Sequence, residues 1–252
     1  MGMSTTIRGS GYGASSLGWW VAFLGAIGAV FILIFRSPEP CRQFLEVLPN
    51  GLLVTFEITV SAFSLAVLFG LAVGLASISR RRVIQVIAST YVEAVRGIPV
   101  LVQLLVLFYA LERFGQLSPL TAAIIALAFC HGAYLGEVAR TSLAAIDPGP
   151  SEAARALGFN SSQTMIHVML PQAWRNSLLP AGNQGIALLK DTSLVSILAI
   201  ADLLGVGREL AAQGSALLET YTLVALLYLL ITLILSRLLR VLEARVSRNV
   251  RS

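Results

Sequence analysis

Charge is scarce along these 252 residues: aspartate, glutamate, lysine and arginine together make up 12%, about half the share of a soluble domain. That excludes an ordinary water-soluble globular class. Short segments alternating apolar and polar residues are also missing, which excludes a membrane β-barrel. Lysine is almost absent, with Lys190 alone among 18 basic residues. Two cysteines (Cys41, in a loop, and Cys130, in an apolar run) and two histidines (His131 and His167) are too few for a metal cluster, and their placement argues against a disulfide. No phosphate-binding loop of the form G-x-x-x-x-G-K-S/T occurs. No Ser/His/Asp or paired-carboxylate arrangement stands out either. The chain alone is therefore expected to be neither an ATPase nor another enzyme. It also has no polar stretch large enough to capture a solute.

Apolar residues are abundant instead: 56% of the chain, with a mean hydropathy of +0.81. They come in long runs, the mark of an all-α polytopic membrane protein. The runs give candidate spans at 17–35, 51–78, 98–113, 119–140, 177–205 and 218–239. The first follows Arg8 as a signal peptide would, but it is long and lacks a small-x-small cleavage site, so a retained span is expected. Arg80, Arg81 and Arg82 follow the second span, Arg140, Arg155 and Arg175 flank the segment after the fourth, and Arg240, Arg245, Arg248 and Arg251 follow the sixth. The alternate loops hold Arg36, Arg42, Arg113 and Arg208, offset by acids. This bias puts both termini in the cytoplasm. The net charge of +5 belongs to these flanks and does not call for nucleic acid.

Two segments depart from the pattern. Residues 83–96 set Val83, Ile87, Tyr91 and Val95 against a polar stripe of Gln85, Ser89, Glu93 and Arg96, which predicts an amphipathic helix at the cytoplasmic interface. Residues 177–205 contain Pro180, Gly182, Asn183, Gln184, Gly185, Lys190 and Asp191, too polar for a lipid-facing helix.

The segment 147–175 reads as two short, water-exposed helices. Asp147-Pro148-Gly149-Pro150 predicts a turn, with Ser151 as the cap of a helix rich in alanine and Glu152 near its positive end. Gly158 suits a left-handed helix stop. Asn160 and Gln163 fit a capping box for a second helix ending near Leu170, before Pro171. Glu152-Ala153-Ala154, three residues, Gly158, nine residues, Val168, one residue, then Leu170-Pro171 resembles the EAA motif of ABC importer permeases, with valine in place of the usual isoleucine. EAVRGIPVLVQ (93–103), GAYLGEVAR (132–140) and GNQGIALLKDTSLVS (182–196) resemble the polar amino acid branch of that family. The resemblance covers about residues 50–248.

It implies a five-helix ABC type I importer permease core plus one extra N-terminal transmembrane helix. In domain terms, 1–16 is a cytoplasmic tail, 17–35 the extra helix, 51–240 the transmembrane domain with its coupling segment at 147–175, and 241–252 a basic tail. It also implies that Glu152, Ala153, Ala154, Leu157 and Gly158 couple to a separate ABC ATPase dimer carrying ATP and Mg. Further implied partners are a second permease subunit, the same chain or a paralogue, and an extracytoplasmic amino acid binding protein. The chain itself holds no cofactor or metal in this reading.

Ionisable and amide groups inside spans are functional candidates. Glu57, Gln103, His131, Tyr134 and Glu137 are candidates for the substrate path, although packing roles compete. His131, Tyr134 and Glu137 recur in steps of three along one face, and Glu137 can pair with Arg140. His131 stands where the family more often has a small or amide residue. Asn183, Gln184, Lys190 and Asp191 are gate or interface candidates, with Lys190 and Asp191 able to pair with each other or with a neighbouring subunit. Asp202 is a candidate cap. The resemblance implies a polar α-amino acid as substrate, and Glu57 and Glu137 favour a cationic one only if they face the path. The rival readings are a secondary transporter, which predicts inverted repeats not visible here, and a membrane-embedded enzyme using Glu137 and His131.

Overall fold

The computed structural model describes residues 16–114, 117–214 and 216–248. Nearly all of the expected N-terminal tail and the last residues of the C-terminal tail lie outside them. The described residues form ten α-helices, one π-helical turn and one 3-10 segment, with no strand among them.

Helix α1 (Ser16–Arg36) matches the first expected span. Helix α2 (Pro38–Ser77) starts much earlier than the expected 51 and runs through Pro49. Cys41, expected in a loop, is therefore helical and buried. Pro49 removes one backbone donor, yet the helix carries on past it. Helix α3 (Arg82–Gly97) is the expected amphipathic helix. Helix α4 (Val100–Phe114) has only 15 residues, or roughly 22 Å, less than a bilayer's hydrocarbon core. The axes of α3 and α4 meet at 111° across Ile98-Pro99. Helix α5 (Pro119–Ala144) starts at an N-cap on Ser118.

Next come the short helices α6 (Pro148–Ala156) and α7 (Ser161–Thr164), then a π-helical turn (Met165–Met169) leading into α8 (Leu170–Asp191). A 3-10 segment (Thr192–Leu198) follows and ends at Ala199, whose φ of 57° is left-handed. Helix α9 (Leu203–Ala212) and the long α10 (Leu217–Arg248) complete the chain. The fifth expected span, 177–205, is thus not one helix: it breaks after Asp191. Among the described residues, four helices are long and apolar enough to cross a membrane, and five if α3 and α4 form one bent crossing. Helix α8, at 22 residues, is long enough but too polar to face lipid, and it packs against α2, α5 and α10.

Small residues hold the centre together. On α2, Ala66, Gly70 and Gly74 face Gly132 and Gly136 of α5. A β-carbon on Gly136 would come 2.7 Å from Val73, and one on Gly74 would come 2.6 Å from Ala139. Lipid offers no hydrophobic drive between helices, so close backbone approach supplies the dispersion that joins them. A second cluster, including Phe44, Leu203, Val206, Leu223 and Val224, joins the early part of α2 to α9 and α10. Asp202, expected to cap the outer end of the fifth span, is the N-cap of α9, accepting from the N–H groups of Gly205 (2.9 Å) and Leu204 (3.3 Å), while the Tyr228 hydroxyl donates to it at 3.2 Å. The Thr55 hydroxyl accepts from Leu203 N at 3.0 Å. These bonds tie α2, α9 and α10 at the end of the bundle opposite the α6–α7 hairpin.

Candidate coupling and translocation site

The α6–α7 hairpin is built from local chemistry. Ser151 is not its cap: Asp147 is, accepting from Gly149 N at 2.8 Å, and Pro148-Gly149-Pro150 forms the first helical turn instead of a separate turn. Proline suits that position because the first N–H groups have no helical acceptor. Ser151 Oγ instead donates to the Pro148 carbonyl at 2.8 Å. Glu152 consequently sits in the second turn. At the far end Gly158 is left-handed, with φ 89°. Its N–H donates to Arg155 O and that of Phe159 to Ala154 O, both at 3.0 Å. This is the paired bonding of a Schellman stop, for which glycine has no steric cost. The capping box is present: Asn160 N donates to Gln163 Oε1 and Gln163 N to Asn160 Oδ1, both at 2.9 Å.

The second helix does not end before Pro171. Its backbone widens into the π turn, where Leu170 N reaches back to Met165 O. Pro171 then lies in the first turn of α8, and Gln172 Nε2 donates to Val168 O at 3.0 Å. The wider turn absorbs the donor that proline lacks, so helix continues where sequence rules place a stop.

Of the five candidate coupling residues, Ala154 is buried, while Glu152, Ala153, Leu157 and Gly158 are exposed. Leu157 is 81% exposed, a bare apolar side chain at the tip of a polar hairpin. Arg80 Nη2 donates to Ser161 Oγ at 3.3 Å, so the arginines after α2 share this end of the molecule.

The five candidate path residues do not form one group. Glu57 is exposed on α2, away from the others. Gln103 is buried, and its amide donates to the carbonyl oxygens of Val95 and Ile98, both at 2.6 Å. It fastens α4 to α3 at their bend and leaves no donor for a solute. The other three lie on one line along α5, as their spacing predicts. His131 is buried, its ring 6.0 Å from that of Tyr134. The Arg96 guanidinium lies 6.0 Å from the Tyr134 ring centre and its Nη1 is 3.9 Å from Glu137 Oε1. Glu137 takes Arg140 through two bonds of 2.8 and 2.6 Å, the fork geometry that suits a guanidinium.

The line ends in a cleft of about 1110 Å³ between α2, α3 and α5. Its lining includes Arg82, Gln85, Ser89, Glu93, Arg96, Glu137 and Arg140. The polar stripe of α3 thus faces this cleft, which sequence reading missed. Only the stripe's regular spacing hinted at a shared target. On the opposite face Val95 is buried and Tyr91 half-buried, whereas Val83 and Ile87 point outward.

Lys190 and Asp191 do not pair with each other. Asp191 Oδ2 lies 3.3 Å from His131 Nε2, and Lys190 is exposed. Asn183 is exposed and Gln184 half-buried on α8.

Residues 66–248 match the family described as binding-protein-dependent transport system inner membrane component. The chain is 35% identical to the L-cystine transport system permease protein TcyB of Bacillus subtilis over 83% of its length and 90% of that protein. It is 36% identical to the glutamine transport system permease protein GlnP of Escherichia coli, covering 80% of this chain and 93% of the relative. Over 82% of its length and 96% of the relative it is 34% identical to the histidine/lysine/arginine/ornithine permease protein HisQ of Salmonella typhimurium. Among solved structures, a crystal structure of an amino acid ABC transporter with histidines aligns with a TM-score of 0.75 at 36% identity, over 80% of this chain and 95% of that one. The inward-facing MetNI methionine ABC transporter shares the fold, with a TM-score of 0.67 at 22% identity over 82% of this chain and 97% of that one.

Proposed function

The chain belongs to the family of binding-protein-dependent transport system inner membrane components, and we propose that within it the α6–α7 hairpin takes drive from a separate ATPase while α5 and α8 line the route of a polar amino acid. The chain is a permease subunit of an ABC importer for amino acids. A gradient-driven carrier finds no support among its relatives.

The observation that carries the coupling role is the capped hairpin with Leu157 and Glu152 exposed at its tip. A hairpin with both ends fixed by caps moves as a body. It joins α5 after only three residues and α8 through a continuous helical turn. The partners in this reading are an ATPase dimer binding ATP and Mg, a second permease subunit, and an extracytoplasmic amino acid binding protein. ATP closes the ATPase dimer, the hairpins move with it, and the permease pair opens outward to receive the amino acid; hydrolysis returns it inward. The arginine-rich end, with the hairpin and both termini, faces the cytoplasm of an inner-membrane protein. Amide, cationic and sulfur-containing amino acids appear in the relatives' names, so the substrate class proposed is the polar α-amino acids.

The test is purification of the chain from its native membrane in mild detergent, with mass spectrometry of what stays bound. An ATPase subunit is expected with the wild type and is lost in Glu152→Arg. A well-folded Glu152→Arg chain that still retains the ATPase and transports normally overturns the coupling role.

A further inference from the structure

His131 is deeply buried on α5, only 2% exposed. Neither ring nitrogen has a hydrogen-bond partner of good geometry among the described residues. Its nearest carboxylate is that of Asp191, with Nε2 and Oδ2 3.3 Å apart. The contact is close but poorly aligned for a hydrogen bond. Burying a polar ring for so little bonding is costly. The site is therefore better explained by position than by packing.

That position is particular. Helices α5 and α8 are the two arms that leave the α6–α7 hairpin. Asp191 is the last residue of α8, where the helix gives way to the 3-10 segment that ends at left-handed Ala199. A change of helix type at such a place is a ready hinge. His131 lies 13 residues before the end of α5, which is roughly 20 Å along the helix from the hairpin. From His131 the line through Tyr134 and Glu137 leads back to the charged cleft.

We propose that the His131–Asp191 contact clamps α5 to the end of α8, so that displacement of the α6–α7 hairpin reaches the 3-10 segment through two arms moving as one lever. His131 and Asp191 are positioning residues in this scheme and touch no substrate. The scheme rests on the importer function proposed above. Without the clamp, α8 can slide or bend while α5 moves, and the drive from the hairpin is lost before it reaches the hinge.

The test compares wild type, Asp191→Asn, His131→Leu and the exchange His131→Asp/Asp191→His in native cells at equal chain content in the membrane. Uptake of radiolabelled glutamine, cystine, histidine and arginine gives the maximal rate and the half-saturation concentration. A clamp acts after capture, so each single variant lowers the maximal rate by about tenfold and changes half-saturation by less than about twofold. The exchange restores most of the rate. A second readout needs no transport: with only two histidines in the chain, ¹⁵N-histidine spectra of the full chain in lipid resolve His131 from His167, and Asp191→Asn moves the His131 signal alone. Single variants that import at wild-type rates overturn the clamp and leave the importer function standing. An unmoved His131 signal removes the contact itself. If cells lacking the chain import all four amino acids as the wild type does and no ATPase co-purifies, the importer function fails and the clamp with it.

Discussion

The amide nitrogen of Gln103 lies 2.6 Å from the carbonyl oxygen of Val95, eight residues earlier and across the sharp bend between α3 and α4. The same nitrogen serves Ile98 at the same distance. Both carbonyls belong to the end of α3, where the helical donors have run out at Gly97-Ile98-Pro99. Gln103→Leu keeps the volume but leaves these acceptors unpaired, at a cost of about 1–3 kcal/mol. The expected outcome is a melting temperature in detergent lower by several degrees. A melting temperature equal to wild type, together with altered amino acid uptake, would restore Gln103 to the substrate path.

Gly158 tests whether the hairpin's shape matters for docking. Its φ of 89° is open to glycine and costs other residues about 1–2 kcal/mol. No atom lies within 4 Å of where its β-carbon would stand, so any effect of Gly158→Ala comes from the backbone alone. The variant is expected to keep the melting temperature of the membrane core and to retain less of the ATPase on purification. Full retention would show that the hairpin tolerates a reshaped tip.

The sequence made the hairpin legible because its signals are local. A capping box spans four residues and a Schellman stop six, so Asn160, Gln163 and Gly158 could be read without knowing the fold. Two local readings fail: Ser151 reads as the cap in place of Asp147 because two prolines beside a glycine look like a turn, yet the first helical turn accepts them, and the stop before Pro171 gives way to a π turn that carries the helix on. The all-α membrane class was legible from apolar runs. The breaks inside those runs were not: the second span, expected from 51, begins at Pro38 and runs through Pro49, whereas Asp191 looked internal and was the true end. Long-range partners were hidden altogether. His131 and Asp191 are 60 residues apart, and Arg96 reaches Glu137 across 41. Lys190 beside Asp191 suggested a neighbourly pair, but adjacent helical residues point in different directions.

The α2–α5 seam predicts a contrast between glycines. Gly136→Leu forces a side chain into Val73, which an added β-carbon alone would approach to 2.7 Å. Overpacking of this kind costs about 1–3 kcal/mol or more, and the chain is expected to lose thermal stability or membrane accumulation. Gly28→Ala on α1 meets nothing within 4 Å; it should be neutral or stabilising by up to about 1 kcal/mol. Both are measured by melting in the same detergent. Equal stability of the two variants would mean that α2 and α5 separate more easily than their contact suggests.

Helix α1 lies outside the matched residues 66–248 and is joined to the rest largely through α10. Trp19 Nε1 donates to the Leu233 carbonyl at 3.1 Å, Arg237 lies 5.8 Å from the Trp19 ring centre, and Phe23 stacks on the same ring. The start of α1 therefore sits beside the later part of α10. Trp19→Phe keeps an aromatic ring but removes the donor, at about 0.5–1.5 kcal/mol; Trp19→Ala also removes the stacking and the cation–π contact. If α1 is an addition to a self-sufficient core, Trp19→Ala loosens α1 without slowing import. The measurement pairs cross-linking between cysteines placed on α1 and α10 with amino acid uptake. Weaker cross-linking with unchanged uptake is the expected outcome. A matching fall in uptake would make α1 part of the transport unit, with Arg237 and Leu233 as the points through which it acts.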